Sequence, residues 1–219
     1  MSPSFKAGFA RPLLPDLPEG KTSTLVRAPV PTPLFLDEST LSFTVHARIH
    51  IAAPPIVVLR ALLDTGSWPR WNNFIPAVQI YNCGMPVSAL PEGSEILGVG
   101  AVFTMFVNMS GKSEEERGPV EKLRKSNEYL SIVEELVPQR EQGRKGWRIV
   151  WNADGHFMLK ADRVQEIVET EGGCEYVTWE SFGGMMAPVV RLAVGGQLID
   201  RFADQGRDLK EWCEGDGGD

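Results

Sequence analysis

The chain has 219 residues, of which 42% are hydrophobic and 23% are charged, and its formal net charge is −7. These values predict a single globular domain and exclude disordered and fibrous proteins. A net negative charge without a cluster of Lys and Arg argues against binding to nucleic acid, and no run of about 18–20 apolar residues predicts an integral membrane segment. The three cysteines, Cys83, Cys174 and Cys213, lack the spacing of a zinc site or a disulfide framework. We therefore predict free thiols and a cytoplasmic protein.

Residues 1–37 are rich in proline and show no sustained hydrophobic period. Seven of the 16 prolines of the chain lie in this range. We predict a poorly ordered N-terminal arm over residues 1–37, a folded domain over 38–214 and a short acidic tail over 215–219.

Apolar and polar residues alternate from Leu41 to Ile51, which predicts a strand with one face in the core and one in water. The polar face carries His46 and His50, and we expect both side chains to be solvated. Four residues of strand separate them by about 13 Å, which is too far for two ligands of one metal ion.

Two helices are predicted directly after this strand. Pro54 and Pro55 suit the first turn of a helix, and the apolar spacing that follows is helical until shortly before Gly66. A second, short helix that carries Trp68, Pro69 and Trp71 is predicted, with Ser67 as its cap.

Six further segments have the composition of strands and are separated by turns that contain Gly or Pro. They cover residues 75–81, 101–109, 129–137, 147–151, 157–168 and 174–182. Gly172 and Gly173 predict a hairpin turn between the last two segments. Residues 111–127, which carry mixed charges, are predicted to be an insertion at the surface.

The C-terminal part returns to helical spacing after Gly184. Its apolar stripe comprises Val189, Leu192, Ile199, Phe202, Leu209 and Trp212. Gly195 and Gly196 in the middle of this helix predict a kink or a close approach to another element. The order of elements predicts an α+β fold, in which a curved antiparallel sheet of about seven strands wraps around the long helix. The space between them is the expected ligand site.

The same order of elements resembles a known superfamily. The strand followed by Ile51-Ala-Ala-Pro-Pro55 and then by Trp68-Pro-Arg-Trp71-Asn72 and Ile75-Pro-Ala-Val78 is similar to the opening of the START-related SRPBCC superfamily of polyketide cyclase/dehydrase and lipid-transport proteins. Thr178-Trp-Glu-Ser-Phe-Gly-Gly184 and the helix that ends in Asp208-Leu-Lys210 resemble its last strand and helix. The resemblance covers residues 40–213 and implies the helix-grip (Bet v 1-like) fold.

The resemblance does not carry over a catalytic motif. The superfamily contains aromatic cyclases, lipid carriers, ubiquinone-binding proteins and chaperone activators, so that several functions are compatible with it. It implies a hydrophobic small-molecule ligand, and we expect no metal or other cofactor.

The predicted hairpin turn places Gln165 opposite Glu180 and makes Arg163 and Glu180 diagonal neighbours on one face. Because apolar residues surround them on that face, these polar groups are expected to be paired or to bind a ligand. Two interpretations stay open. The first is an ion pair that stabilises the sheet, and the second is a polar anchor for a ligand carbonyl or phenolate.

The candidate site residues follow from this face and from the other inward positions. The candidates for proton transfer are Glu180, Arg163 and His156, the last at the predicted mouth of the pocket. The candidates for ligand contact are Phe103, Met105, Tyr129, Trp151, Phe157, Leu159, Gln165, Tyr176, Thr178, Phe182, Val189 and Leu192. We expect them to enclose a cavity of about 300–1,000 Å³, the usual size of a ligand pocket.

Three functional hypotheses follow. The first is binding of a polyketide-, lipid- or quinone-like molecule by a cyclase- or dehydratase-like lyase or isomerase that needs no metal. The second is a non-catalytic carrier of such a molecule. The third is a chaperone-activator-like interaction module, which predicts a filled interior and an exposed apolar patch.

Overall fold

The structure is a computed structural model that describes residues 9, 11–33, 41–93, 95–138, 143–153 and 158–215. Two of the candidate site residues, His156 and Phe157, lie outside the described residues. The predicted arm–domain boundary at residue 37 and residues 216–219 of the predicted tail lie outside them as well.

Eight antiparallel strands form one sheet in the order β1-β2-β8-β7-β6-β5-β4-β3. The strands are β1 (Ser23–Val26), β2 (Leu41–Ile51), β3 (Ala77–Asn82), β4 (Val102–Val107), β5 (Arg124–Leu136), β6 (Gly146–Ala153), β7 (Lys160–Thr170) and β8 (Gly173–Gly183). The helices are α1 (Pro55–Leu63), α2 (Trp68–Trp71), α3 (Glu114–Arg117) and α4 (Ala187–Glu214), and a 3-10 turn spans Val120–Lys122. This is the helix-grip, Bet v 1/START-like fold that the resemblance implied, and the prediction of the fold is confirmed.

The inner face of the sheet packs around α4 because the apolar positions of β2 and β8 point to the same side. Phe43 of β2 stacks on Phe182 of β8 with 4.6 Å between the ring centroids. Phe202 and Leu209 of α4 are fully buried against this face. A Cβ atom at Gly195 would lie 3.0 Å from Cδ1 of Leu25, so that glycine provides the close approach that the sequence predicted.

The sheet has eight strands rather than about seven because the N-terminal arm supplies β1. β1 pairs with β2, with Ser23 opposite Ala47 and Val26 opposite Thr44. Among the described residues of the arm, the expectation of poor order is wrong. The lack of periodicity arises because the arm lies across the surface of the sheet instead of forming a helix.

Residues 27–33 of the arm lie on the outer face of the sheet. Nε1 of Trp179 donates a hydrogen bond to the carbonyl of Pro31 at 3.1 Å, and Oγ of Ser181 donates to the carbonyl of Val30 at 2.6 Å. Oγ1 of Thr32 donates to Oδ2 of Asp162 at 2.8 Å. The outer face therefore has its own small core, which contains Phe9, Val30, Ile132, Val150, Val164, Val177 and Trp179.

The arm also covers His46, so that the expected exposure of this histidine is wrong. His46 is fully buried on the outer face, and burial lowers its pKa to about 4, with smaller contributions from the charges of Arg48 and Arg11. Burial of a neutral imidazole is compatible with this low pKa because desolvation disfavours the charged form. His50, at the end of the same face, is exposed as predicted.

A cluster of charged side chains lies on the outer face beside the arm. Glu166 is fully buried, and its Oε1 accepts hydrogen bonds from Nε and Nη2 of Arg148 at 2.9 and 2.8 Å. Nη1 of Arg144 donates to Oε2 of Glu166 at 2.7 Å, and Nε of Arg11 lies 3.5 Å from the same oxygen. Three arginines thus compensate one buried carboxylate.

Candidate functional site

A cavity of about 130 Å³ lies between the inner face of the sheet and the first half of α4. Its lining residues are Phe74, Ile75, Met105, Val107, Met109, Arg124, Ser126, Glu128, Trp151, Ala153, Leu159, Ala161, Arg163, Glu180, Phe182, Val190, Val194 and Leu198. The volume is smaller than expected, because aromatic rings and the helix side chains fill much of the interior. One water needs roughly 10–15 Å³ by this measure, so the cavity has room for about ten non-hydrogen atoms.

The cavity exists because two alanines occupy positions between larger side chains. Ala153 ends β6 and Ala161 lies near the start of β7, and both line the cavity together with Trp151 and Phe182. Their methyl groups leave space where a longer side chain would reach toward α4.

The register of the β7–β8 hairpin differs from the predicted one by two residues. Thr170 pairs with Gly173, so the turn consists of Glu171 and Gly172. Arg163 is therefore directly opposite Glu180, and the predicted diagonal arrangement is wrong. Gly173 is required for another reason: its φ is 154°, and a Cβ atom there would lie 2.1 Å from the carbonyl oxygen of Ile51.

Gln165 pairs with Thr178 instead of Glu180, as a result of the same register. A shift of two residues leaves every side chain on its predicted face, because successive side chains of a strand alternate between faces. Arg163 and Glu180 therefore both line the cavity.

Arg163 makes its short contacts with neutral groups. Its Nε donates to Oγ1 of Thr178 at 3.2 Å, and its Nη2 donates to Oε1 of Gln205 on α4 at 2.5 Å. Its guanidinium carbon lies 4.2 Å from the ring centroid of Phe202. Within the described ranges no ion pair shorter than 4.0 Å joins Arg163 to Glu180. Arg163 thus connects the sheet to α4.

Glu180 faces the cavity and has no hydrogen-bond partner in the part of the chain that the structure describes. Burial raises the pKa of its carboxyl group, and the charge of Arg163 partly offsets that effect. The residue is half-buried, so that its carboxyl group can be reached from the cavity. This carboxyl group is therefore available to a bound molecule.

Glu128 is a second carboxyl group in the cavity, and the sequence analysis missed it. Its side chain is 5% exposed, and Oγ of Ser126 donates a hydrogen bond to its Oε1 at 2.6 Å. Burial raises the pKa of Glu128 to about 8, and the nearby charge of Glu180 raises it further, while Ser126 and Arg163 lower it. Glu128 is thus mostly protonated at neutral pH.

The structure explains why Glu128 was missed. β5 begins at Arg124, within the segment predicted to be a surface insertion. The inward positions at the start of β5 are Arg124, Ser126 and Glu128, and such a polar run has no hydrophobic alternation to identify it. Only the continuation of β5 past Leu130 carries the apolar signal.

A prediction follows for the dependence of stability on pH. The unfolded chain loses the Glu128 proton near the ordinary pKa of 4.5, whereas the folded chain keeps it up to about pH 8. The native state therefore binds more protons between these values, and this carboxyl group makes stability fall as the pH rises through that range. We expect Glu128→Gln to raise the melting temperature at pH 9 and to change it less at pH 5.

Thermal denaturation from pH 5 to pH 9 tests this expectation. Glu135→Gln, an exposed change on the same strand, is the matched control and should leave the slope of the wild type unchanged. An equal pH dependence in Glu128→Gln and in the wild type would contradict the assignment of a raised pKa to Glu128.

The other predicted contact residues divide into three groups. Met105, Trp151, Leu159 and Phe182 line the cavity. Phe103 is fully buried behind Trp151, with 6.2 Å between the ring centroids, and Gln165, Tyr176 and Thr178 are buried more deeply in the sheet. Tyr129 follows Glu128 on β5 and therefore points away from the cavity.

Val189 and Leu192 are on the solvent side of α4, with 53% and 89% of their side chains exposed. The prediction that they contact the ligand is wrong. The buried stripe of α4 continues from Phe202 through Leu198 to Val194 and Val190 at a spacing of four residues. Both faces of this end of the helix carry apolar residues in the sequence. Only the face that packs on the sheet is buried.

Tyr176 and Gln165 form the polar layer beneath the cavity. The hydroxyl of Tyr176 donates to Oε1 of Gln165 at 2.6 Å, and burial raises the pKa of this hydroxyl. In the described ranges, the amide nitrogen of Gln165 is buried without a partner. No group of three or more His, Cys, Asp or Glu side chains within those ranges is placed to hold a metal ion.

The chain is similar in sequence to a protein of a biosynthesis cluster. No family model matches it. The oxopyrrolidines biosynthesis cluster protein O of Penicillium oxalicum (strain 114-2 / CGMCC 5302) is 28% identical over 201 residues, which cover 82% of this chain and 94% of that protein.

Among the described helices, none combines the length and the apolar character needed to cross a membrane.

Solved structures with this fold have little sequence similarity to the chain. The hypothetical protein jhp0584 from Helicobacter pylori has a TM-score of 0.54 at 11% identity, covering 78% of this chain and 86% of its own. The protein TTHA0849 from Thermus thermophilus has a TM-score of 0.50 at 12% identity, and the match covers 77% of this chain and 94% of that protein. These likenesses concern the fold alone.

Proposed function

We propose that the cavity binds a small, largely apolar molecule whose polar end contacts Glu180 and Glu128. The observation that carries the proposal is the carboxyl group of Glu180, which faces an apolar cavity without a hydrogen-bond partner in the described chain. A ligand with a hydrogen-bond donor would satisfy this group. The aromatic walls at Phe74, Trp151 and Phe182 suit a flat ring.

The volume limits the ligand class. Room for about ten non-hydrogen atoms fits one ring with a short substituent, whereas the body of a lipid, a quinone or a multi-ring polyketide would remain outside. The similarity to a protein of an oxopyrrolidine biosynthesis cluster supports a ligand that is an intermediate or product of small-molecule biosynthesis. A five-membered oxo ring has the right size and polarity.

We favour an enzyme of the lyase or isomerase kind, which acts by proton transfer, over a non-catalytic carrier. Two carboxyl groups in one cavity support the enzyme, because they can move protons to and from a bound carbonyl compound. The carrier is supported by Arg163, whose short contacts all serve the sheet and α4. The interaction-module hypothesis required a filled interior, and the cavity argues against it.

The free thiols support the reducing cytoplasm as the location.

The test is native mass spectrometry of the purified protein for a co-purifying molecule, combined with a variant that fills the cavity. Ala161→Leu should remove the bound molecule and weaken binding at least about tenfold, because the added atoms occupy part of the cavity. Ala193→Leu, on the exposed side of α4, adds the same atoms to the surface and should bind normally. Equal binding by both variants would contradict the proposal.

A further inference from the structure

We propose, on the basis of the proposed function, that Glu180 and Glu128 form a base–acid pair that enolises a carbonyl ligand. In this assignment Glu180 removes a proton from the carbon next to the ligand carbonyl, and Glu128 donates a proton to the carbonyl oxygen.

Both carboxyl groups line the same cavity. Glu128 lies on β5 and Glu180 on β8, with β6 and β7 between them. Three strand spacings correspond to about 14 Å along the sheet, and the curvature of the sheet brings inward side chains closer together. On these two intervening strands, the small side chains of Ala153 and Ala161 line the cavity.

The two carboxyl groups have unlike surroundings. Glu128 accepts a hydrogen bond from Ser126 at Oε1, and its Oε2 has no partner in the described chain and can carry the proton. Glu180 lies directly opposite Arg163, and the charge of Arg163 offsets part of the rise in pKa that burial causes at Glu180. Two nearby carboxyl groups with unlike environments are a recurrent arrangement for an acid and a base.

The charged groups around Glu128 are few. Arg163 and Asp162 on β7 and Glu180 on β8 act on it through space, and Arg124 on its own strand lines the cavity. The residues of α4 that line the cavity are apolar, and so are those of β4. The raised pKa of Glu128 therefore depends mainly on burial, which keeps its proton in place at neutral pH.

The proton transfers balance without any other reactant. The C–H bond of the ligand breaks, its proton goes to Glu180, and its electron pair forms the carbon–carbon double bond of the enol. The carbonyl oxygen forms an O–H bond with the proton of Glu128. Glu180 is then neutral and Glu128 ionised, and the reverse step restores both. An enol is the nucleophile that a cyclisation or a dehydration would use next.

The experiment uses 2-acetylcyclopentan-1-one, which is small enough for the cavity and has one ring and an enolisable carbon between two carbonyls. The conversion of its keto form to the enol is followed by nuclear magnetic resonance, as exchange of the proton on that carbon for deuterium in D2O. We expect the protein to accelerate this conversion, and expect Glu128→Gln and Glu180→Gln each to lower the acceleration about 100-fold. Glu135→Gln, an exposed change on β5, should leave it unchanged.

Binding is measured separately by calorimetric titration with 2-acetyl-2-methylcyclopentan-1-one, which cannot enolise at the carbon between its two carbonyls. Binding with no acceleration, or an acceleration that both Gln variants retain, would overturn the acid–base assignment and leave the proposed function intact. No binding to the wild type would contradict the proposed function, and the enolisation proposal with it.

The pH profile gives a readout that a structural role would not change. Acceleration by the wild type should decrease as the pH rises through about 8, because Glu128 then loses its proton. Glu128→Asp should retain part of the activity together with a decrease at high pH. If Glu128→Gln does not fold, this profile decides instead, and a rate that stays constant from pH 7 to pH 10 would overturn the proposal.

Discussion

Removal of residues 1–33 is expected to lower the melting temperature by about 8–16 °C. The arm contributes β1 to the sheet, and Val30, Pro31 and Thr32 make at least four hydrogen bonds to it, of which three are buried. At about 1 kcal/mol for each hydrogen bond the loss is about 4 kcal/mol, and 1 kcal/mol corresponds to about 2–4 °C at this chain length. Removal also exposes Trp179 and His46, which are fully buried. Differential scanning calorimetry measures the change.

Leu13→Ala is the control for this experiment, because the Leu13 side chain in the same arm is 99% exposed. It should leave the melting temperature within about 1 °C, as surface substitutions usually do. A decrease of less than about 5 °C after removal of the arm would mean that the outer face is stable without its cover.

Glu166→Gln is expected to destabilise the protein by about 3 kcal/mol. Glu166 is fully buried and accepts hydrogen bonds from Arg148 and Arg144, and Arg11 lies nearby. The neutral amide leaves buried guanidinium charge uncompensated, and removal of one member of a buried ionic group costs about 3–5 kcal/mol. The amide oxygen keeps part of the hydrogen bonding, which places the expected value at the lower end. Urea denaturation gives the free energy of unfolding directly.

Glu169→Gln provides a matched comparison on the same strand. Glu169 pairs with Lys145 at 2.8 Å, but their side chains are 46% and 61% exposed. Exposed pairs contribute about 0–1 kcal/mol, so this change should have little effect. Similar losses for both variants would show that the buried cluster is not the source of the stability.

The sequence predicted most of the fold because the elements carry strong local signals. The alternation in residues 41–51 predicted β2 with the bounds that the structure has. The prolines at 54 and 55 predicted the start of α1. These signals depend on the burial of one face of an element, which alternation or helical spacing reveals directly.

The prediction from the sequence was wrong where the burial of a strand face depends on a segment that is distant in the chain. The polar face of β2 suggested solvated histidines, but the arm covers His46. Nothing in the spacing of the prolines showed that Pro31 would accept a hydrogen bond from Trp179. A segment without periodicity can be ordered when another element provides its contacts, and that element lies about 150 residues away here.

The candidate site was predicted in part. The face that carries Arg163 and Glu180 was predicted. The hairpin turn lies one position before the predicted one, because either of two adjacent glycines suits a tight turn. Glu128 could not be recognised, since a polar residue at an inward position has the same pattern as a polar residue on a surface loop. The predicted contacts Val189 and Leu192 failed for the opposite reason, as apolar residues that face solvent.

The contact between β1 and α4 gives the arm an influence on the ligand site. Oγ of Ser23 donates to the carbonyl of Ile199 at 2.7 Å, and Leu25 lies against Gly195. These contacts hold the half of α4 that also provides Val190, Val194 and Leu198 to the cavity. A change in the length of the arm would therefore tilt or shift α4 and alter the size of the ligand that fits. Ligand preference could thus diverge among relatives whose cavity residues are identical.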